Sequence, residues 1–543
     1  MEFMNELTRK SLDFDYVLSR IKTYTPYGKG YKENMRPYLP GEEERLEEEL
    51  QRIEQFLKYA KDHDFSREIN DIFAHTKDSR TSVRRTMEGC VLSEVELFEI
   101  KTFLFLIRDL DKILKKYGMD DWKDIEIEPI EKLEKLLDPD DTKIATFYIY
   151  DSYSKKLKNI RKEKKEVDRE IKKRKKEIKD KVKEDLNMRF RPDGSIVVPK
   201  ENQSVLDKID TNPYLTYVSE TYMNVKFTIK STEEIFDLER KLFNLKEREE
   251  EEEYKVREEI SKQIANSRKK LFRNMASIGK LDFILGKAQF AIETNAVKPE
   301  IVKEHCLVIE EGRHPKVEEF LNKKELEFTP ISIDLKEGAA CITGANMGGK
   351  TVSLRLVGLL AAMAQHGLFV PADSMKLGLS NFICTSIGDM QSTDKGLSTF
   401  GGEIKLVQEA IEIAHKKGII LIDELARGTN PQEGYAISKA LIKFLKDKNS
   451  ITLVTTHYDN IADMEGVAHL QVVGLSDIEF EKLNEELKDR ELDKMDIINR
   501  YMDYRLVEVK SKKEVPKDAL NIARLMGLDE KIIHEAENIL EEK

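Results

Sequence analysis

The chain has 543 residues, of which 40% are apolar and 36% are charged, and its formal net charge is −11. This length is enough for several domains and a large core, and the enrichment in charge suggests long solvated helices beside that core. The negative net charge excludes a protein that is basic overall, so any contact with nucleic acid must use a local basic surface.

The four cysteines lie far apart and show no metal-ligand spacing, which predicts buried thiols in a reducing compartment; they are Cys90, Cys306, Cys341 and Cys384. The segment from Met1 to Glu6 has neither the basic nor the apolar part of a signal peptide. Because no stretch reaches the ~18 apolar residues of a membrane helix, we expect a cytoplasmic protein with no membrane span.

Residues 1–150 are predicted to form a helical core domain. Apolar residues recur at helical spacing within 46–57 and again within 97–107. Glycine and proline residues between Pro26 and Gly41 predict a connection between helices there.

Residues 151–275 are predicted to form two long charged helices with a small tip. The first runs from Lys155 to Lys183 and carries a thin apolar seam, and the second runs from Ile235 to about Met275. Between them, residues 191–199 predict a turn and a short strand, and the alternation from Tyr214 to Ile229 predicts further strand. The simplest arrangement is an antiparallel helical arm. Its basic first helix could touch phosphates, but charge runs are also typical of a solvated helical pair, and the sequence leaves both interpretations open.

Residues 276–301 are predicted to return to the helical core, and an α/β nucleotide-binding domain is predicted for residues 302–475. Its clearest motif is a glycine loop between the apolar residues 339–342 and the helix-like residues 352–357, the context that a phosphate-binding loop requires. Glycines let backbone N–H groups turn toward phosphate oxygens, and the helix N-terminus adds partial positive charge. The residues expected to bind the nucleotide here are Gly344, Ala345, Asn346, Met347, Gly348, Gly349, Lys350, Thr351 and Val352.

Two of these side chains have specific chemistry. Lys350 can reach the β- and γ-phosphates of a nucleoside triphosphate, and the Thr351 hydroxyl can ligate Mg²⁺. A second motif, Ile419 to Glu424, is an apolar run that ends in two carboxylates and is typical of a buried parallel strand. Asp423 would hold Mg²⁺, directly or through water, and Glu424 would polarise the water that attacks the γ-phosphate.

Residues 476–543 are predicted to form a helical tail. Apolar residues between Leu520 and Leu540 have the spacing of helix–helix packing. The tail could cap the nucleotide domain or serve as a dimerisation element, and we favour dimerisation.

The motifs of the nucleotide domain, taken in order, resemble the MutS family of ATP-binding-cassette ATPases. The glycine loop is close to the family's TGPNMGGKS form, with Ala345 in place of proline. The other matching segments are Glu311 to Pro315, Phe369 to Ser374, Gly396 to Phe400, Asp423 to Asn430 and Thr455 to Tyr458. The resemblance is strong over roughly residues 305–475 and weaker elsewhere.

The resemblance implies that ATP is bound with Mg²⁺ and hydrolysed at two composite sites of a homodimer. Ser398 lies in the segment that resembles the signature loop, which would complete the partner subunit's site. His457 resembles the switch histidine, which would hold the attacking water or sense the γ-phosphate. An aromatic residue should stack on adenine; Phe328 is the best candidate, and Leu326 also aligns.

The sequence also departs from the family pattern. Mismatch repair members begin with a recognition domain that bears a Phe-x-Glu wedge, whereas this chain opens with the core segment Ser11 to Leu18. We also expect no small C-terminal nuclease domain like that of the recombination-suppressing branch, although Gly428 to Gly434 is more like the shorter MutS-like paralogues. This minimal form also resembles the MutS-like ATPase subunits thought to reactivate cobalamin-dependent amino-acid aminomutases.

We therefore expect an α/β P-loop ABC-type ATPase domain joined to a mainly α-helical core and lever domain with a long antiparallel arm. The resemblance to the family favours DNA as the molecule that the two long helices bind and move. Residues 155–191 would then contact phosphates without reading sequence. The lack of a recognition domain and the net charge of −11 favour a protein client such as a cobalamin-dependent aminomutase. A nucleotide-switched scaffold with slow turnover is a third interpretation.

Overall fold

The structure, a computed structural model, describes residues 2–119, 122, 125–144, 146–344, 349–387, 399–426, 429–462, 464–474, 502–509, 520, 523–524 and 527–541. These residues form a mixed α/β protein, as predicted. Among them, no helix combines the length and the apolar character that crossing a lipid bilayer requires.

The helices, in chain order, are α1 (Glu6–Ser11), α2 (Phe14–Arg20), α3 (Pro26–Glu33), α4 (Glu43–Ala60), α5 (His63–Ala74), α6 (Arg80–Met87), α7 (Glu94–Lys116), α8 (Glu131–Leu137), α9 (Lys155–Leu186), α10 (Gln203–Asp210), α11 (Glu233–Asn266), α12 (Arg268–Glu293), α13 (Pro315–Asn322), α14 (Lys350–Gln365), α15 (Thr399–Ile413), α16 (Pro431–Leu445), α17 (Asp459–Ala462) and α18 (Glu530–Glu541). The strands are β1 (Ser195–Pro199), β2 (Leu215–Glu220), β3 (Asn224–Ile229), β4 (Glu300–Val302), β5 (Cys306–Gly312), β6 (Ile331–Lys336), β7 (Gly338–Thr343), β8 (Ser374–Gly378), β9 (Ile383–Ser386), β10 (Ile419–Asp423), β11 (Ile451–Thr455), β12 (Val467–Gly474) and β13 (Asp503–Glu508).

The chain forms two compact units. One combines Met1–His75 with Ile278–Lys543, and the other is Thr76–Ser277. The division therefore falls inside the region 1–150 that we predicted as one helical domain and inside α12. The predicted domain limits at residues 150, 275, 301 and 475 stay a prediction.

A six-stranded sheet forms the centre of the first unit, in the order β13-β12-β7-β11-β10-β9. The five strands β12, β7, β11, β10 and β9 are parallel, and β13 joins the edge antiparallel to β12. Alternate side chains face opposite layers, as the period of a strand requires: Ile342 and Leu421 pack with α14, whereas Cys341 and Ile422 pack with α15 and α16. Because both faces are covered, these strands are almost wholly apolar.

A four-stranded sheet, in the order β4-β8-β5-β6, lies within the same unit. Its strand β5 pairs antiparallel with both β6 and β8. Leu307 and Ile309 of β5 belong to the same apolar core as α14, so this sheet and the six-stranded sheet share that core.

The second unit contains the predicted pair of long helices. Side-chain contacts run from Lys156 to Glu252 at one end of the pair and from Lys175 to Glu239 farther along, so α9 and α11 are antiparallel. Beyond the pair, β1, β3 and β2 form a small antiparallel sheet. This agrees with the strands predicted within 191–199 and 214–229.

Buried ion pairs occur in both units. In the second unit, Lys101 is fully buried and donates hydrogen bonds to Asp138 Oδ1 and to the Tyr150 hydroxyl, at 3.0 and 3.1 Å. In the first unit, buried Lys287 donates to Glu49 at 2.8 Å. The cysteines form no disulfide; Cys306 and Cys341 are buried, and Cys90 and Cys384 are half-buried.

Three predictions of secondary structure need correction. The segment from Pro26, predicted as a connection, begins with helix α3, because Pro26 occupies the first helical turn, where no N–H is needed, and the Thr25 hydroxyl caps Gly28 N. The second long helix ends at Asn266, and Arg268 begins α12. The tail is not helical throughout, because Asp503–Glu508 is a strand held by its backbone hydrogen bonds to β12.

Candidate nucleotide-binding site

The predicted phosphate loop lies between a buried strand and a buried helix, as the sequence indicated. β7 ends at Thr343 and α14 begins at Lys350. Gly349 is the N-cap of α14 and has φ +77°, a left-handed conformation that side chains other than glycine disfavour. Gly344, at the start of the loop, has φ +121°. The predicted binding residues Ala345, Asn346, Met347 and Gly348 lie outside the described residues.

The Lys350 amine lies in a buried position between the loop and the predicted catalytic carboxylate. It donates a 2.6 Å hydrogen bond to Gly344 O and lies 3.3 Å from Glu424 Oε1. The Lys350 side chain is 3% exposed and that of Glu424 is 11% exposed. The charge of each group is therefore balanced by the other where little water is available.

Asp423 is held by two hydroxyl groups. Thr351 Oγ1 donates to Asp423 Oδ2 at 2.8 Å, and Thr455 Oγ1 donates to Asp423 Oδ1 at 2.6 Å. The register of the sheet explains this contact, because Asp423 at the end of β10 pairs with Thr455 at the end of parallel β11. Sequence reasoning missed this role of Thr455, although the residue lies in the quoted segment Thr455 to Tyr458.

The chain turns sharply after Asp423. Glu424 has φ +45° and Ala426 has φ +64°, both unusual for residues with a side chain. The Glu424 N–H donates to Thr455 Oγ1 at 3.0 Å and to Thr455 O at 3.2 Å. These bonds hold the strained residue in place, and strain of this kind is concentrated at functional sites.

The oxygen atoms present suit a magnesium ion. A carboxylate and a hydroxyl are the hard oxygen donors that Mg²⁺ takes from proteins, and Thr351 keeps its oxygen lone pairs while its proton is donated to Asp423. Thr351 lies in the first turn of a 16-residue helix, where the partial positive charge favours phosphate, and Asp423 accepts its hydroxyl hydrogen bond. Thr351 and Asp423 thus fit the metal and Lys350 fits the phosphates.

For the other predicted site residues that it describes, the structure gives a position but no hydrogen bond or ion pair with Lys350, Thr351, Asp423 or Glu424. His457 is exposed, two residues beyond β11, and its ring centroid lies 4.0 Å from that of Tyr458. Phe328 is half-buried and packs against the main apolar core, while Leu326 N bonds to Leu321 O. Val352 lies in the first turn of α14. Ser398 lies outside the described residues. The roles proposed for His457, Phe328, Leu326, Val352 and Ser398 stay predictions.

Two further residues next to the loop were not anticipated. His469 Nε2 lies 2.8 Å from Thr343 Oγ1, at the end of β7. Tyr504 lies so close to Gly349 that an added Cβ there would be 3.0 Å from the tyrosine ring, and burial raises the pKa of Tyr504. No local motif marks Tyr504, because only the pairing of β13 with β12 brings it to the loop.

The segment Glu311 to Pro315 packs against α14. Gly312 ends β5, and a Cβ there would lie 3.2 Å from Leu356 Cδ2 of α14. His314 is fully buried, and this burial lowers its pKa to about 4. The segment therefore contributes packing beneath the helix that carries Lys350.

Comparison with known proteins defines the class first: the family model described as MutS domain V matches residues 340–542. The chain is 29% identical over 493 residues to the Endonuclease MutS2 of Halothermothrix orenii, covering 84% of this chain and 58% of that protein. It is 26% identical over 563 residues to the Endonuclease MutS2 of Caldanaerobacter subterraneus subsp. tengcongensis, covering 99% and 65%. A DNA mismatch repair protein MutS from Aquifex pyrophilus is 33% identical over 315 residues, covering 58% and 34%.

These comparisons support membership of the chain in the MutS family, as its motifs indicated. It spans less than two thirds of the length of the two MutS2 relatives. The names of these relatives refer to endonuclease activity and to DNA mismatch repair. The alternative of a cobalamin-dependent aminomutase as client gains no support from them.

Proposed function

We propose that this protein is a MutS-type ATPase that binds ATP with Mg²⁺ and hydrolyses it. The observation that carries the proposal is the convergence of four side chains at the carboxyl edge of the six-stranded sheet: Lys350, Thr351, Asp423 and Glu424. Ligands of open α/β sheets bind at this edge, and the combination of amine, hydroxyl and two carboxylates matches the needs of phosphoryl transfer.

Each residue has a separate task in this proposal. The Lys350 amine would exchange its bonds to Gly344 O and Glu424 for phosphate oxygens, which are better anionic acceptors. Glu424, released from the amine, would accept the proton of the attacking water. Thr351 and Asp423 would hold Mg²⁺, which when bound neutralises charge that develops on the phosphate oxygens. Thr455 positions Asp423, and its bonds to Glu424 N fix the backbone of the base.

The proposed active form is a homodimer, in which Ser398 of one subunit completes the site of the other and His457 responds to the γ-phosphate. ATP would join two nucleotide domains and hydrolysis would separate them, and this cycle would move the long helices. We propose that the molecule bound by the long helices is duplex DNA, because the names of the relatives refer to endonuclease activity and DNA mismatch repair.

Glu424→Gln tests the catalytic assignment. The amide has nearly the same shape as the carboxylate but cannot accept the proton, so ATP binding should persist while turnover falls by about 10²-fold or more. Equilibrium binding of ATP and single-turnover hydrolysis should be measured on the full chain. Glu433→Gln is a matched control, because Glu433 is exposed in the first turn of α16. Hydrolysis at the unchanged rate in Glu424→Gln would show that another group is the base.

A further inference from the structure

A cavity lies beside the carboxyl end of α14, within the first unit of the chain. Its volume is about 700 Å³, which is within the range of about 300–1,000 Å³ that is usual for small-molecule sites in proteins. The wall is formed by the N-terminal segment, α2, the end of α3 and His366, the residue that follows α14. Because α14 has 16 residues, the cavity lies roughly 24 Å along the helix from Lys350 and is separate from the candidate nucleotide-binding site.

Part of this wall is aromatic and apolar. Phe3 and Phe14 are buried, and their ring centroids lie 5.6 and 4.6 Å from that of His366. Leu18 and Met35 are half-buried and pack against the apolar core to which both phenylalanines belong. Aromatic faces and a thioether favour contact with a flat apolar ring, so this part of the wall suits an aromatic ligand.

One ring nitrogen of the wall is left available to a ligand. His366 is 6% exposed, and its Nδ1 lies 2.6 Å from Ala362 O, so Nδ1 carries the proton and donates to that carbonyl. Burial lowers the pKa of His366 to about 4, which leaves the ring neutral near pH 7 and Nε2 as an acceptor. Among the residues that the structure describes, none forms a hydrogen bond with Nε2. The wall therefore offers a preformed acceptor to an N–H or O–H group.

One cation of the wall has no carboxylate partner. Of the three cations that line the cavity, Arg9 and Arg36 each pair with a carboxylate of the protein. Lys32 is half-buried and donates to Ile21 O at 2.7 Å, but it forms no ion pair within the described part of the chain. Burial lowers the pKa of Lys32, because its charge is partly removed from water, and a bound carboxylate would stabilise that charge. The three carboxylates that also line the cavity are exposed, where water weakens their repulsion of an anion.

We propose that this cavity binds a small aromatic carboxylic acid whose ring carries an N–H or O–H group. The ring would lie against Phe3 and Phe14, and its N–H or O–H would donate to His366 Nε2. The carboxylate would accept a hydrogen bond from Lys32, whose amine has N–H groups left beyond the one that is bound to Ile21 O. A few placed polar groups in an otherwise apolar wall are typical of small-molecule sites. Binding of this ligand requires neither ATP nor its hydrolysis.

The test uses indole-3-propionate as the probe, because it combines an aromatic ring, a ring N–H and a carboxylate. Its binding to the full chain is measured without nucleotide by ligand-observed NMR titration, and we expect a Kd on the order of 1 mM or tighter. Two analogues remove one group each: the N-methylated compound lacks the ring N–H, and 3-methylindole lacks the carboxylate. Each analogue should bind at least about fivefold more weakly than the probe, because one hydrogen bond is lost.

Two variants test where the probe binds. Lys32→Met removes the amine and keeps an unbranched side chain; its control is Lys29→Met, since Lys29 is exposed on the same helix and does not line the cavity. His366→Phe keeps a ring in contact with Phe3 and removes the acceptor, and thermal unfolding checks that the variant folds. Lys32→Met and His366→Phe should each weaken binding of the probe by about fivefold or more, whereas Lys29→Met should leave it unchanged. If His366→Phe does not fold, the two lysine variants still decide.

Three results would overturn this assignment of the cavity. The wild type does not bind the probe at about 10 mM, or the analogues bind as tightly as the probe, or a folded variant at position 32 or 366 binds the probe as tightly as the wild type does. Each of these results leaves the proposed ATP hydrolysis standing, because the binding is measured without nucleotide and the cavity is remote from Lys350.

Discussion

Thr455 holds Asp423 through a single hydroxyl group, and Thr455→Val removes that group at nearly constant side-chain volume. The hydroxyl donates to Asp423 Oδ1 at 2.6 Å and accepts from Glu424 N at 3.0 Å. After the change, Glu424 N still has Thr455 O at 3.2 Å, and Asp423 still receives the bond from Thr351 at 2.8 Å. Of the two bonds that the hydroxyl makes, the one whose loss matters most is therefore the charge-assisted bond on the carboxylate that is proposed to hold Mg²⁺.

The size of the effect follows from the kind of bond that is lost. A hydrogen bond to a charged group contributes about 1.5–3 kcal/mol, and at 1.4 kcal/mol per factor of ten this corresponds to roughly 10–150-fold in an equilibrium constant. Groups that orient a metal ligand typically change metal affinity by about 10–100-fold. We expect Thr455→Val to raise the Mg²⁺ concentration for half-maximal ATP hydrolysis by about 10–100-fold.

The assay is a Mg²⁺ titration of ATP hydrolysis at fixed ATP, with thermal unfolding measured in parallel. Thr456→Val is the matched control: Thr456 is the next residue, is also buried, and accepts a bond from Tyr458 N rather than contacting Asp423. If both variants shift the Mg²⁺ dependence equally, Thr455 does not act through Asp423. A shift confined to Thr455→Val supports its positioning role.

Two further predictions concern stability. Lys101→Met removes the cation from a buried pair and leaves the Asp138 carboxylate without its charge partner; this should cost about 3–5 kcal/mol, and a chemical-denaturation midpoint unchanged from that of the wild type would contradict it. Burial lowers the pKa of His366 to about 4 from its ordinary value of 6.5, so the unfolded chain binds more protons than the folded chain between these pH values. This group should therefore contribute a loss of up to about 3 kcal/mol in the wild type as pH falls from 6.5 to 4. His366→Gln should show a shallower loss in a denaturation series across this pH range, and equal slopes would show that His366 does not contribute to the change.

Local chemistry was enough to locate the proposed site. The glycine loop with Lys350 and Thr351 could be selected because it joins a buried strand to a helix, and Asp423 and Glu424 because they end another buried strand. Both patterns are visible in a short window of sequence. The long helices 155–186 and 233–266 were also predictable, because an apolar seam repeats along them.

The contacts between distant segments could not be predicted in this way. The pairing of β10 with β11 places Thr455 on Asp423, and the pairing of β13 with β12 places Tyr504 at Gly349. Strand register across a sheet depends on many simultaneous contacts, and no single segment carries that information. The same limit explains why a strand, Asp503–Glu508, was taken for part of a helical tail.

The charged pair of helices shows most clearly which features the sequence determines and which depend on tertiary packing. Its composition was enough to predict a basic helix that avoids a core, since so many lysines must remain near solvent. The antiparallel packing of α9 on α11 decides which of these cations form ion pairs, because it turns Arg161 and Lys175 toward glutamates of α11. On the opposite side of α9, exposed cations such as Lys158 and Lys176 form no ion pair within the described part of the chain, because one face of a helix can meet a neighbour while the opposite face remains in water.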